Sequence, residues 1–565
     1  MTDPVACYIT TPIYYVNDRP HIGHCYTSLV ADVAARAHRL IGDDVFFLTG
    51  TDEHADKVVK AAAERGLDTM DWATRNAERF KRAFAFMEFS NDDFVRTTEE
   101  RHWSRAKAYI QKLVDNGDIT LGDYEGWYDP SQEEYVTETN AKEHGYTSPV
   151  TGRPLERRTE QNWFFDLPKY AGWLREQIAS DRIRVLPEAR KNEMLSRIDQ
   201  GLNPVPVSRR LREGDADWGV RMPNDPEHRV YVWIEALCNY LTMVDTDERR
   251  KFWPPPEGVD DAPASIVHLM AKDILWFHAV IWPAMLHALG ERPPEVIYAH
   301  AYWIAEGRKM SKSLGNFIEI ENMEAYAQRY SVDALRWFLT TRGPLGATDA
   351  DFAHGRFVEV YNADLANGIG NAASRVSNMI GKYFDGKVPD ADGRTEPIST
   401  SGDRGGWPDI AKAEELGAVQ DVHRIALDEA AQRGVALVSD VDRYINETRP
   451  FSLTKDLDGE WVFETLSNRE ALETVLYHCA ETLRIASLLL YPAMPRKMAD
   501  LWRRWGCEHL RDPEDPDSAF RAPLADLAEW GGPYGLKPGQ RIEKGEALFM
   551  RADPAEGAPE PGPAG

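Results

Sequence analysis

Two short segments hold residues whose types and spacing suit phosphate chemistry. In His21-Ile22-Gly23-His24, two histidines three residues apart stand where a loop turns into a helix. Both can face one ligand beside exposed backbone N–H groups, a favourable place for phosphate. Gly23 lets a flat base approach the backbone. In Lys309-Met310-Ser311-Lys312-Ser313, two lysines and two hydroxyls lie in a loop after a strand. That is a flexible cationic clamp, able to follow charge as it develops on a phosphorus centre and a departing pyrophosphate. Either string alone also fits a chance occurrence or a solvated loop. Together, with His24 and Lys309 285 positions apart and each bordering one half of a split α/β pattern, they read as two halves of one nucleotide site.

The elements that must hold these residues follow from periodicity. CYIT is a short β-prone run, PIYYVNDRPHIG is broken by two prolines and an Asn-Asp pair, HCYTSLVADVAARAHRLIG spaces Leu29, Val33 and Ala37 as a helix does, and VFFLTG is strand-like. A second such region comes late, as IVHLM, ILWFHAVIWPAMLHALG and VIYAHAYWIA. Strands alternating with helices predict an α/β fold with a doubly wound parallel sheet. Its halves are expected at 1–114 and 226–354, split by a connective insertion at 115–225 whose EEYVTET and SPVTGRP are hairpin-like. From 355 to 550 helical patterns dominate and predict an α-helical bundle, with a mobile loop near 389–410. Pro, Ala and Gly supply eleven of the positions 551–565, which predicts a disordered tail.

Composition narrows the classes. The 565 residues are 43% hydrophobic with 40 Gly and 35 Pro, which excludes collagen-like and wholly disordered chains. No apolar run reaches about 18 residues and no charged n-region precedes an apolar stretch, so the expected address is the cytoplasm. Cys7, Cys25, Cys238, Cys479 and Cys507 lie far apart with no CxxC pair, against a disulfide framework or a Cys-rich zinc site. The net charge of -26 disfavours general attraction to a polyanion, so any nucleic-acid site must be a local patch.

HIGH followed by KMSKSLGN resembles the class I aminoacyl-tRNA synthetases. TTPIYYVNDRPHIGH, FFLTGTDEH, VYVWIEALCNY, KDILWFHAVIWPAML and GRKMSKSLGN stand in the order of the methionyl-tRNA synthetase family within them. The resemblance implies a Rossmann-like catalytic domain and two steps, attack of methionine on the α-phosphate of ATP and transfer of the methionyl group to the terminal ribose of tRNA(Met). A carboxylate is already ionised at pH 7, so the first step needs no general base. By the resemblance, Tyr14, His21, Gly23 and His24 hold ATP with Mg2+, Lys309 and Lys312 neutralise its phosphates, and Ser311 and Ser313 shape the loop.

The same resemblance maps a methionine pocket onto Ile13, Tyr15, Asp52, Trp233, Ala236, Leu237, Tyr240, Ile274 and His278. Asp52 can pair with the α-ammonium, Tyr240 can offer its hydroxyl to a weakly accepting thioether, and Tyr15, Trp233 and His278 can wall in a polarizable sulfur. In the bundle, Asn371 and Arg375 share a helix face and suit unpaired anticodon bases, while Phe451 stands where the family usually has Trp. Other departures are Ala55 and Ala271, where Gly is usual, and Asp129, Gln132, Ser148 and Thr151 at the places of zinc-binding cysteines. Amides and hydroxyls do not replace thiolates, so no structural zinc is expected. An insertion this short leaves any rejection of homocysteine to the synthetic site, and the lack of an appended module favours a monomer. Three alternatives stay open: another amino acid, a small-molecule nucleotidyltransferase, and a non-catalytic RNA-binding scaffold.

Overall fold

The computed structural model describes residues 4–130, 134–136, 138–149, 151–211, 214, 216–256, 264–310, 316–396, 406–455, 466–510 and 520–560. Ser311, Lys312, Ser313 and Gln132 lie outside the described residues. In chain order the elements that build the site begin with β1 (Ala6–Tyr15), α1 (Ile22–Ile41), β2 (Asp44–Asp52), α2 (Asp56–Ala63), α3 (Thr69–Met87), β3 (Asp93–Arg96) and α4 (Glu100–Asp115). Then come the insertion strands β4 (Ile119–Asp129) and β5 (Glu156–Phe165), followed by β6 (Arg184–Leu186), α5 (Val232–Leu237), β7 (Ala264–Ala271), β8 (Val296–His300), α6 (Ile320–Tyr330) and α7 (Val332–Arg342). The bundle contributes α8 (Asn371–Tyr383), α9 (Trp407–His423), α10 (Leu427–Thr448), α11 (Pro450–Leu453) and α12 (Asn468–Leu490).

The central sheet has the order β3-β2-β1-β7-β8-β6 with every neighbour parallel. Its strands are nearly unbroken apolar runs because both faces are covered. Alternation assigns Tyr8, Phe46, Leu48 and Ile266 to one core and Ile9, Phe47, Val267 and Leu269 to the other. The second core runs on without interruption through α1 into the bundle, reaching Leu483 and Tyr491.

Four local readings change. β1 does not stop after CYIT but continues to Tyr15, its register shifting between Thr10 and Ile13 around Pro12, which has no N–H for the ladder. β6 comes from inside the expected insertion yet forms an edge of the parallel sheet, so the 115–225 segment is not a closed unit. The helical patterning expected from 355 onward is interrupted by a π-helical stretch, Tyr361–Gly370, with a non-helical Gly368, and again between α9 and α10 around Ile425, whose φ is 58°. Of the loop expected at 389–410, residues 397–405 lie outside the described residues and 407–410 already belong to α9.

The tail also departs from expectation as far as residue 560. Tyr361 donates to the Met550 carbonyl (2.6 Å), Asn362 and Ala552 exchange two hydrogen bonds (3.0 and 2.9 Å), and Arg329 pairs with Glu556 and donates to the Gly557 carbonyl (2.8 Å). Composition predicted disorder because little apolar area is at stake. Hydrogen bonds from α6 and the π-helical stretch supply the order instead.

A knot centred on the fully buried Asp32 and Arg336 joins the sheet half to the bundle. Asp32 on α1 takes Arg36 (2.9 Å) and Arg336 of α7 (2.6 Å) on one carboxylate oxygen, and the Ser90 N–H (2.6 Å) and hydroxyl (2.7 Å) on the other. Arg336 also donates to the carbonyls of Met87 (2.9 Å), Pro492 (3.0 Å) and Ala493 (3.1 Å), and Arg36 to the Tyr491 hydroxyl (3.3 Å). Burial raises the Asp32 pKa and the two guanidiniums more than reverse that, holding it at about 2.

Candidate active site

A cavity of about 680 Å3 opens at the carboxyl ends of β1 and β2, on the side where doubly wound sheets bind ligands. Ile13, Tyr14, Tyr15, His21, Gly23, His24, Asp52, Trp233 and Ile274 line it. Ala236, Leu237, Tyr240 and His278 do not; they are buried in the layer behind.

The phosphate side is built by the start of α1. His21 is the N-cap, with its Nδ1 accepting from the Gly23 N–H at 3.1 Å, and His24 Nδ1 accepts from the His21 N–H at 3.3 Å. The two imidazoles thus form a reciprocal capping box, their ring centroids 3.8 Å apart. Because each Nδ1 accepts, each neutral ring carries its proton on Nε2 as a donor. A helix N-terminus without an acidic side chain in its first turn and with two N–H-bearing rings suits an anion. A Cβ on Gly23 would stand 2.9 Å from His21 Cε1, so the glycine is what lets His21 fold back over its own helix. Tyr14 stacks on Phe80 at 5.6 Å and its hydroxyl bonds Ser28 at 2.9 Å, with burial pushing the phenol above its ordinary range.

The opposite wall carries the acid expected to meet an ammonium. Asp52 ends β2, is buried, and its Oδ1 has no hydrogen-bond partner. Burial first, and then the nearby carboxylates of Glu235 and Glu53, push its pKa well above the usual carboxylate range. Those neighbours are themselves fully engaged. Glu235 is held by His54 at 3.0 Å and His102 at 3.1 Å. Glu53 takes Arg96 at 2.8 and 3.0 Å and Thr98 at 2.6 Å. An orphaned buried carboxylate oxygen beside two satisfied carboxylates is a place for a cation supplied from outside.

Trp233 stacks on Phe277 at 4.1 Å and meets Tyr15 edge-on at 6.1 Å, giving the cavity an aromatic wall. Behind it, His278 donates from Nδ1 to the Ile274 carbonyl (2.9 Å), and burial lowers its pKa to about 4, so the ring is neutral and Nε2 accepts. The Tyr240 hydroxyl is 2.8 Å from that nitrogen and is therefore the donor. The proton expected to face a thioether is thus used within the protein. His278 sits in a π-helical turn, Phe277–Ile281, which re-aims side chains within the run that read as one helix.

Lys309 is exposed on a two-residue strand and is not among the cavity-lining residues; Lys312 and the two serines of its loop lie outside the described residues. Ala271 borders the cavity and Ala55 is buried at the start of α2. In the bundle, Asn371 is exposed at the start of α8, while Arg375 donates to Asp442 (3.0 Å) and Asn446 (3.3 Å) of α10. Phe451 is half exposed on α11. In the insertion, Ser148 accepts from the Gly152 N–H at its carbonyl (2.9 Å) and from the Thr151 N–H at its hydroxyl (3.1 Å), and Asp129 is buried. Among the described residues no group of three His, Cys, Asp or Glu side chains is placed to hold a metal ion.

Sequence reasoning missed several cavity residues. Lys57 reaches over the Tyr15 ring at 5.7 Å, Phe317 meets His21 edge-on at 4.8 Å, and Phe277 and Arg19 also line the cavity. Lys57, five residues after Asp52 and at the start of α2, is the one that spacing could have found.

Comparison with known proteins agrees with this geometry. A family profile described as "tRNA synthetases class I (M)" matches residues 7–377. A protein named methionine–tRNA ligase from Caldanaerobacter subterraneus is 38% identical over 553 residues, covering 97% of this chain and 79% of its own. One of the same name from Streptomyces coelicolor is 37% identical, with 97% of both chains covered. Among solved structures, Mycobacterium tuberculosis methionyl-tRNA synthetase in complex with methionyl-adenylate is similar with a TM-score of 0.79 and 32% identity, over 97% of this chain and 100% of that one. Its free-state form gives 0.74 and 30%.

Proposed function

The chain belongs to the class I methionyl-tRNA synthetases, and on that premise we propose how its own residues divide the work. It joins methionine to ATP as methionyl-adenylate with release of pyrophosphate, then passes the methionyl group to the 3′-terminal ribose of tRNA(Met).

Methionine lies with its α-ammonium on Asp52 and its side chain against Trp233, Ile13, Tyr15 and Ile274, with Ala236, Leu237, Tyr240 and His278 forming the backing that closes around the thioether. Its carboxylate oxygen attacks the α-phosphorus, and the bond from that phosphorus to the bridging oxygen of pyrophosphate breaks. The Nε2–H groups of His21 and His24 hold the phosphates, Gly23 and Tyr14 lie under the nucleotide, and Lys309, Ser311, Lys312 and Ser313 follow the charge onto pyrophosphate. Magnesium arrives with the triphosphate as its counter-ion, and no structural zinc takes part. In the second step a ribose hydroxyl attacks the methionyl carbonyl and AMP leaves. Asn371, Arg375 and Phe451 read the anticodon. The chain acts as a monomer in the cytoplasm.

The observation that carries this reading is the buried, partnerless Asp52 oxygen across the cavity from the paired Nε2–H donors. It is tested by pyrophosphate exchange into ATP with each of the twenty amino acids, without tRNA, after zinc is chelated and magnesium resupplied. Exchange with methionine alone is expected. Exchange with another amino acid overturns the pocket, and none restores the scaffold alternative.

A further inference from the structure

The outer face of α3 carries a row of guanidiniums that neither the cavity nor the bundle uses. Arg75, Arg79 and Arg82 are spaced four and three residues apart, which places them on one stripe of the helix. Turned away from that stripe, α3 buries Ala73, Phe80 and Phe84. Among the described residues no carboxylate lies within ion-pair distance of Arg75 or Arg82, and Arg79 donates only to Asn76, at 3.0 Å. Such a row is out of character for a chain of net charge -26, whose other arginines are mostly paired.

The row has a direction. Arg79 and Arg82 line a second cavity of about 340 Å3 between α3 and α6 together with Arg19, and Arg19 also lines the reaction cavity. Arg65 extends the row at its far end, stacked on Trp72 at 4.5 Å. Carboxylates are present on the α6 side, where Glu321 pairs with Arg19 at 3.3 Å and Glu324 lines the same cavity; Glu78 is taken by Lys81 and Glu64 by Arg65. Burial, and then Arg19, Arg82, Arg75 and Arg65, pull the Arg79 pKa below its ordinary value, so the row is crowded with like charge. Proteins keep such repulsion where a polyanion relieves it.

We propose that Arg75, Arg79 and Arg82 form a backbone-phosphate track on which the tRNA rests as its 3′ end enters the cavity past Arg19. The inference rests on the function proposed above. An RNA strand is favoured over pyrophosphate because Arg75 to Arg82 alone spans about 10 Å of helix, longer than one diphosphate. No base is read here, so the contact is tolerant of sequence and sensitive to salt.

The test is the variant R75E/R82E, both positions being exposed, beside the charge-conserving R75K/R82K. For R75E/R82E, KM for a tRNA(Met) transcript is expected to rise on the order of tenfold, and the salt slope of tRNA affinity to shrink by about 1.4 to 1.8. Methionine-dependent pyrophosphate exchange stays within twofold of the parent, and R75K/R82K behaves like the parent in both assays. An unchanged tRNA KM and salt slope overturn the proposal. An equal fall in pyrophosphate exchange also overturns it, by placing the row on the nucleotide. Filter retention of the transcript separates this from the function itself: a parent chain that exchanges nothing with methionine sinks the earlier reading, whereas equal retention by parent and R75E/R82E sinks this one.

Discussion

At the end of β2 the fold buries a carboxylate and leaves one of its oxygens unmet, whereas on α8 it half-buries a guanidinium and gives it two partners. Asp52 and Arg375 were singled out by the same resemblance, yet under the proposed function they would meet their ligands differently. A methionine ammonium would complete Asp52, adding an interaction where a desolvation cost already stands. An anticodon base would have to take Arg375 from Asp442 and Asn446, exchanging one set of bonds for another. Recognition by completion is worth more per contact than recognition by exchange.

The largest effect that would break this contrast is at Asp52. Asp52→Ala is expected to lower kcat/KM for methionine by at least two orders of magnitude, about 3–5 kcal/mol, in pyrophosphate exchange. Asp52→Asn should lose activity similarly while melting no lower than the parent. The sign follows from the raised carboxyl pKa: ionised Asp52 costs stability, and that cost grows as pH rises above the ordinary carboxylate range. In the parent, kcat/KM for methionine should begin to fall on acidification at a higher pH than an ordinary carboxylate would allow. A variant equal to the parent in activity would remove Asp52 from recognition.

Glu235 is the matched control, a buried carboxylate already served by His54 and His102. Glu235→Gln is expected to cost about 3 kcal/mol of stability in denaturant melts, since it strands imidazoles buried against it. Burial raises the Glu235 pKa but the histidines hold it at about 2, so its contribution is full above the ordinary glutamate range and lost as pH falls towards 2. The raised pKa of His54 works oppositely, its share fading as pH rises through that value. Third, Arg375→Ala should raise KM for tRNA by about 5- to 30-fold, about 1–2 kcal/mol, and Asp442→Ala, which leaves the guanidinium only its Asn446 partner, should lower it. Improved tRNA binding in Arg375→Ala would show that the α8–α10 bridge is purely structural. Smallest, Phe451→Ala should cost about 1 kcal/mol in the same assay, with Phe451→Trp at or above the parent.

The same contrast explains what residue types and spacing alone disclose. His21, Gly23, His24 and Asp52 could be placed because local rules govern them: a loop-to-helix junction and a strand's end fix where each side chain stands. Tyr240 could not, since its proton depends on a neutral histidine in a π-turn thirty-eight residues away. Continuous helical patterning hid the breaks at Gly368 and Ile425, which are backbone events without an apolar signature. The order of residues 551–560 was hidden because hydrogen bonds, not apolar burial, hold them. Edge strand β6 was hidden by its three residues.

Helical patterning takes over near residue 355, and a protein engineer would be tempted to cut there. The knot at Asp32 argues against it. A fragment ending at 354 would keep Asp32, Arg36 and Arg336 but lose the Tyr491 hydroxyl and the Pro492 and Ala493 carbonyls that two of them grip. The helix that begins with His21 and His24 would then lose its far anchorage, and grafting a foreign bundle would succeed only if it brought the same three acceptors to the same place. Physically the two halves behave as one indivisible part rather than two exchangeable ones.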